Sequence, residues 1–140
     1  MTRIDQATLF TKYPKIFANA SKGPAESCMF WGIETGPGWM VLIDTLCSNI
    51  QRHIDWKVQQ GQEIEQVTAD QVKEKFGTLR FYTSGGDETT SGMIQLAESM
   101  SARICETCGS PGSFRGRGWY YTACDAHTRP EDLATAETAE

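Results

Sequence analysis

The chain has 140 residues, 39% hydrophobic and 22% charged, with four Trp, four Tyr and six Phe; this suits one domain around one core and excludes both two independent domains and a disordered chain. Its formal net charge is −5, but Glu131, Asp132, Glu137 and Glu140 against the single Arg129 leave about −2 over residues 1–128. A folded part this close to neutral argues against a strongly basic nucleic-acid binder and a highly acidic DNA mimic, leaving only local patches open.

The start, Met1-Thr2-Arg3-Ile4-Asp5-Gln6, does not read as the basic start and apolar core of a signal peptide, and no apolar stretch approaches the length of a bilayer span. A cytoplasmic location is expected. In a reducing compartment, five cysteines are read as including metal ligands rather than as a disulfide framework.

Residues 1–27 read as an arm packed on the domain, with a short helix over 7–13 that Pro14 ends. Residues 29–35 are aromatic and apolar and predict a strand, followed by a turn at Gly36-Pro37-Gly38. From Trp39 to about His53, the residues Trp39, Leu42, Ile43, Leu46, Cys47, Ile50 and Ile54 recur at three- and four-residue steps. That is one stripe of an amphipathic helix, and His53 near its end would interact favourably with the helix dipole. Residues 59–62 are a polar connector. Residues 67–76 and 79–83 predict a β-hairpin around Gly77-Thr78, although 67–75 also contains good helix formers. Ser84-Gly85-Gly86-Asp87 closes the hairpin, and a second helix is expected over 91–103, capped by Ser91 or Thr90.

The C-terminal quarter carries the strongest motif. Cys105 and Cys108 form one Cys-x-x-Cys turn, Cys124 and His127 form a second, and the interval between them matches the zinc-ribbon class. One structural zinc on Cys105, Cys108, Cys124 and His127 is the expectation, with Gly109 completing the knuckle. Two other chemistries compete. A redox dithiol at Cys105 and Cys108 would leave the second pair a coincidence, and a catalytic zinc would need an open position that four protein ligands fill. Cys28 and Cys47 read as small core residues.

Arg115 and Arg117 lie in the glycine-rich interval of the module, beside Phe114, Trp119, Tyr120 and Tyr121. Arg115, Arg117, Trp119 and Tyr120 are the expected partner-contacting residues, able to anchor a protein interface or to meet phosphates and stack on bases. Glu34 with the Gly36-Pro37-Gly38 turn is the alternative surface. Glu34, Asp44, Asp55, Asp70 and Glu74 are scattered, with no partner in a catalytic motif and no phosphate-loop or dinucleotide fingerprint, so no enzymatic activity is expected.

The expected fold is α+β: a small antiparallel sheet with two packed helices and a C-terminal zinc-ribbon-like module. Residues 1–27 form the arm, 28–103 the core, 104–128 the zinc module and 129–140 a flexible acidic tail.

The segments Cys28-Met29-Phe30-Trp31-Gly32-Ile33-Glu34, Gly36-Pro37-Gly38-Trp39, Leu42-Ile43-Asp44-Thr45-Leu46-Cys47 and Val72-Lys73-Glu74-Lys75-Phe76-Gly77-Thr78-Leu79-Arg80-Phe81-Tyr82, with the terminal metal motif, together resemble a family of small proteins encoded by bacteriophages and prophages. The resemblance spans about residues 28–128. It implies a phage setting and no catalytic residue. Two functions follow as expectations: stoichiometric binding to a host macromolecule, in particular a host protein of a defence system, or binding of nucleic acid through the zinc module.

Overall fold

A computed structural model describes residues 4–133. The protein is α+β, with helices α1 (Gln6–Lys12), α2 (Met40–Gln59) and α3 (Glu88–Ser101) around a three-stranded sheet of β1 (Ile33–Glu34), β2 (Thr68–Lys75) and β3 (Thr78–Ser84). A separate two-stranded ladder, β4 (Ser113–Arg115) and β5 (Tyr121–Ala123), lies in the C-terminal module. No helix among the described residues is long and apolar enough to cross a membrane.

The strand expected over residues 29–35 is shorter than the sequence suggests. Cys28–Trp31 is a 3-10 turn, capped by the Ser27 hydroxyl accepting the Met29 N–H at 3.0 Å, and only Ile33–Glu34 is extended. It also pairs parallel to β2, Ile33 opposite Val72, so the sheet is mixed rather than wholly antiparallel. The connection explains the direction: parallel neighbours need a long crossover, and α2 supplies it. That helix runs beyond His53 to Gln59 and buries Ile43, Leu46, Cys47, Ile50 and Ile54 of the expected stripe, with Met40 in addition and Leu42 half-buried.

The hairpin forms with Lys75 opposite Thr78, which makes Phe76-Gly77 the turn rather than Gly77-Thr78. Both turn residues have positive φ, 53° and 88°, as two-residue hairpin turns matched to strand twist require. Glu74 accepts the Gly77 N–H at 2.7 Å. Val72, Leu79 and Phe81 point inward and join Leu9, Ile16, Phe17, Met29, Trp39 and the α2 stripe in one core cluster. The expected N-terminal arm is thus part of the core, and α1 is tied down where Lys12 and the Tyr13 hydroxyl both reach Asp44 at 2.7 Å.

Helix α3 begins earlier than expected. Its N-cap is Asp87, which accepts the Thr90 N–H while the Thr90 hydroxyl accepts the Asp87 N–H. The same carboxylate meets His53 at 2.8 Å and Lys57 at 3.0 Å, so His53 pairs with an acid on α3 instead of acting on the end of its own helix. His53 chiefly, with the Thr90 N–H and Lys57, holds the Asp87 carboxyl well below the usual carboxylate range against its partial burial. Further along, α3 covers the open edge of β3: Ser101 Oγ accepts the Leu79 N–H and Glu98 the Phe81 N–H, both at 2.9 Å. An exposed edge strand would otherwise template pairing with another chain.

Substitutions on α3 and at its cap test this packing. Ser101→Ala leaves a buried strand N–H unpaired and should cost about 1–3 kcal/mol in urea denaturation. Leu96→Ala on the exposed side of α3 should stay within about 0.5 kcal/mol. For Asp87 the folded value is depressed, so its contribution is present above about pH 4, the unfolded carboxylate value, and is lost as pH falls towards the folded one. Acid titration of Asp87→Asn should therefore show lower stability at neutral pH and a flatter decline below pH 4 than the parent protein.

Candidate metal centre

Two short turns bring the four expected ligands together. The first follows α3: Gly109 N–H bonds back to the Cys105 carbonyl at 2.8 Å and Cys105 N–H to Ser110 at 2.7 Å, closing the knuckle that carries Cys105 and Cys108. The second is the 3-10 turn Asp125–His127 after β5, with His127 N–H on the Cys124 carbonyl at 3.1 Å and the Thr128 hydroxyl on the same carbonyl at 2.7 Å. Ligand atoms of Cys105, Cys108, Cys124 and His127 all lie within 4.8 Å of one another. Cys105 Sγ and His127 Nδ1 are 3.7 Å apart, Cys108 Sγ and Cys124 Sγ 3.7 Å, and Cys124 Sγ and His127 Nδ1 3.2 Å. The cluster can hold one metal ion, with His127 presenting Nδ1.

Electrostatics favour a cation here. Burial pushes the Cys105 thiol up, but backbone N–H groups of Cys124, Cys108 and Thr107 outweigh it and bring the thiol down to about 6. The Cys124 thiol is pushed up by desolvation and by Cys108 beside it. Several thiolates this close repel one another, and a bound cation removes that conflict. Cys47 is different: it is fully buried on α2 and burial raises its thiol strongly, as expected of a core residue. Cys28 is exposed, so the core position expected for it is not found; the 3-10 turn sends Met29 inward in its place.

The residues that seat the centre are ones that motif reading passed over. Glu106, a spacer in the first knuckle, accepts the Gly38 N–H on its backbone carbonyl and the Gly36 N–H on its carboxylate, both at 2.7 Å, and donates its own N–H to Thr122 at 3.0 Å. Desolvation raises its carboxyl, opposed by the Gly36 N–H. A Cβ on Gly38 would stand 2.1 Å from the Cys105 carbonyl oxygen, and one on Gly36 2.5 Å from that of Glu106. Trp39, wholly buried, donates its indole N–H to the Ile104 carbonyl at 2.8 Å. On the other side, the Thr122 hydroxyl donates to the Gly77 carbonyl at 2.7 Å. The Gly36-Pro37-Gly38 turn is therefore the seat of the Cys105–Cys108 knuckle, with Gly38 buried against it while Pro37 and Glu34 stay exposed. Only its composition, two glycines about a proline, hinted at a close backbone approach.

Of the expected contact residues, Arg115 is turned inward. Its side chain is 5% exposed, donating to the Ala123 carbonyl at 3.2 Å and to Asp125 at 2.8 Å, so it braces the turn that carries Cys124 and His127. Arg117 and Tyr120 are exposed, and Trp119 is 71% exposed. Phe114 and Tyr120 stack with centroids 5.2 Å apart. The acidic tail expected over 129–140 lies outside the described residues from 134 onward. Before that, Arg129 and Asp132 dock on Tyr121: the Arg129 guanidinium sits 4.8 Å above its ring, and the Tyr121 hydroxyl bonds the buried Asp132 carboxylate.

Comparison with models of known protein families, with curated proteins and with solved structures finds no match.

Metal removal supplies the test of the centre. Cys105→Ser and Cys124→Ser should each lose the bound metal, whereas Cys28→Ser and Cys47→Ser should keep about one equivalent by elemental analysis. Chelation should also perturb the core, because Trp39 is tied to Ile104; a red shift of tryptophan emission with a lowered melting temperature is the expected readout. Metal retention in either ligand variant would remove that residue from the set.

Proposed function

We propose that the metal is zinc, that it is structural, and that the protein works by stoichiometric binding to a macromolecular partner, without turnover. The observation that carries this is the completeness of the ligand set: three sulfurs and one imidazole nitrogen supply all four positions of a tetrahedron, leaving none for water or substrate. Thiolates at a zinc–sulfur distance of about 2.3 Å lie about 3.8 Å apart around a tetrahedral centre, and sulfur and nitrogen about 3.6 Å. The separations of 3.7, 3.7 and 3.2 Å lie near those values, and all four ligand atoms are within 4.8 Å of one another. The knuckle backbone is also committed to holding Gly36 and Gly38, as a fastening requires.

The phage resemblance in the sequence supplies the setting: a bacterial cytoplasm, with a host macromolecule as target and a host defence protein as one candidate. Exposed Trp119 and Tyr120, fixed by the metal-closed module, are the anchors on this reading, since rigid aromatic side chains bind at little ordering cost. Arg115 is withdrawn from the contact surface by its inward bonds. Nucleic acid is the second partner class, favoured by Lys73, Lys75 and Arg80, which the register of β2 and β3 sets on one face of the sheet.

Trp119→Ala/Tyr120→Ala should weaken capture of the partner at least ten-fold, while metal content and melting temperature stay near those of the parent. The checks are affinity capture from bacterial lysate followed by titration of the isolated pair to a fixed stoichiometry. Chemical conversion of a nucleotide or peptide by substoichiometric protein would overturn the reading.

A further inference from the structure

The side of the three-stranded sheet that faces away from the helices has an unusual composition. Register places Val72, Phe81 and Leu79 on the core side and Lys73, Lys75, Arg80 and Tyr82 on the other, with Lys73 directly opposite Arg80 and Lys75 opposite Thr78. Like charges set against each other across strands destabilise a sheet. A chain of net charge −5 has ample acids to relieve the pair, yet among the described residues none of Lys73, Lys75 and Arg80 forms an ion pair. Glu34 flanks Lys73 from β1 without bonding it. Arg80 Nε is shielded from solvent and has no hydrogen-bond partner.

Aromatic rings are interleaved with these cations. The Lys73 ammonium lies 6.0 Å from the Tyr82 ring centroid and that of Lys75 5.6 Å from Phe76. The positive φ of Phe76 projects its ring from the hairpin tip, 65% exposed. A Cβ on the next residue, Gly77, would stand 2.8 Å from the Phe114 ring and 3.1 Å from the Tyr120 carbonyl carbon, so the stacked Phe114–Tyr120 pair of the C-terminal module lies beside the hairpin tip. A basic strip thus runs along the outer sheet face and ends in a cluster of open rings.

We propose that this strip binds single-stranded nucleic acid, with Lys73, Lys75 and Arg80 meeting phosphates and Tyr82, Phe76 and the Phe114–Tyr120 pair meeting base faces. The proposal rests on the chain's being a stoichiometric binder and narrows its partner. Charge complementarity calls for a polyanion, and the rings select its kind. An acidic peptide would use the cations and leave the rings in water, and a duplex keeps its base faces stacked inside, whereas a single strand offers phosphates and open bases together. Binding of this type is tolerant of sequence, because every base has a π-face.

The test uses the full chain with its metal and fluorescence anisotropy of a labelled deoxythymidine 20-mer. Expected are saturable binding at 50 mM salt and a log–log salt slope of about −2 for three phosphate contacts on a single strand. Binding to a 20-base-pair duplex should be at least ten-fold weaker. Lys73→Glu/Lys75→Glu should cost at least ten-fold, Lys73→Gln/Lys75→Gln should flatten the salt slope, and Tyr82→Ala should weaken binding with the slope unchanged; circular dichroism and metal content verify that each variant folds. No binding of the 20-mer, binding unaltered in these variants, or equal affinity for the duplex overturns the proposal. Tighter binding of a 20-residue polyglutamate peptide, lost in the same variants, overturns the nucleic-acid assignment and leaves stoichiometric binding standing. Cleavage of the oligonucleotide by substoichiometric protein overturns that broader reading as well.

Discussion

Two glycines meet a metal knuckle, and the geometry of that meeting governs how the halves of the chain fit. The Gly38 N–H donates to the Glu106 carbonyl, the Gly36 N–H to the Glu106 carboxylate, and the bare Cα atoms of both glycines let the backbone from Cys105 to Glu106 approach to distances no Cβ would permit. The turn lies immediately before α2, and Trp39 carries the contact into the core through its bond to Ile104. The knuckle must be closed for those carbonyls to be presented, so the metal that would close it helps fix the start of the longest helix. Metal binding at the cluster would then be coupled to the folding of this junction.

The interior of the C-terminal module is short of apolar side chains. Of its residues from 104 to 128, Cys105 and Ala123 are buried hydrophobics, while Arg115, Thr122 and Thr128 are buried and polar. Such a segment has too little apolar surface to cohere by burial alone. It is held by ligand geometry, by the inward Arg115–Asp125 pair and by the Thr122 bond to the hairpin turn. Its aromatic residues, spared from core duty, face outward at Phe114, Trp119 and Tyr120. A metal-ligand cluster and an exposed aromatic surface are thus two results of one composition.

The hairpin serves both halves. One face of β2 and β3 completes the core, the tip receives the module, and the free edge of β3 is sealed by Ser101 and Glu98 from α3. What remains open is the face bearing Lys73, Lys75 and Arg80.

The amino-acid sequence alone determined the features that depend on short-range periodicity and on ligand chemistry. The α2 stripe repeats at helical steps, the 67–83 segment alternates around a glycine turn, and Cys105, Cys108, Cys124 and His127 stand at spacings that tight turns convert into one cluster. Only the tertiary structure decided what depends on partners far along the chain. β1 runs parallel to β2 because α2 intervenes, and His53 faces Asp87 because α2 packs on α3. Arg115 turns inward because the Asp125 turn folds over it, and Cys28 is exposed because a 3-10 turn replaces the expected strand. Glu106 was invisible as a spacer in its motif because its role is set by glycines seventy positions earlier. A local pattern specifies a helix, a hairpin or a knuckle, since the atoms that satisfy it lie within a few residues. The direction a strand runs and the side an arginine faces are set by whatever the rest of the chain has brought alongside.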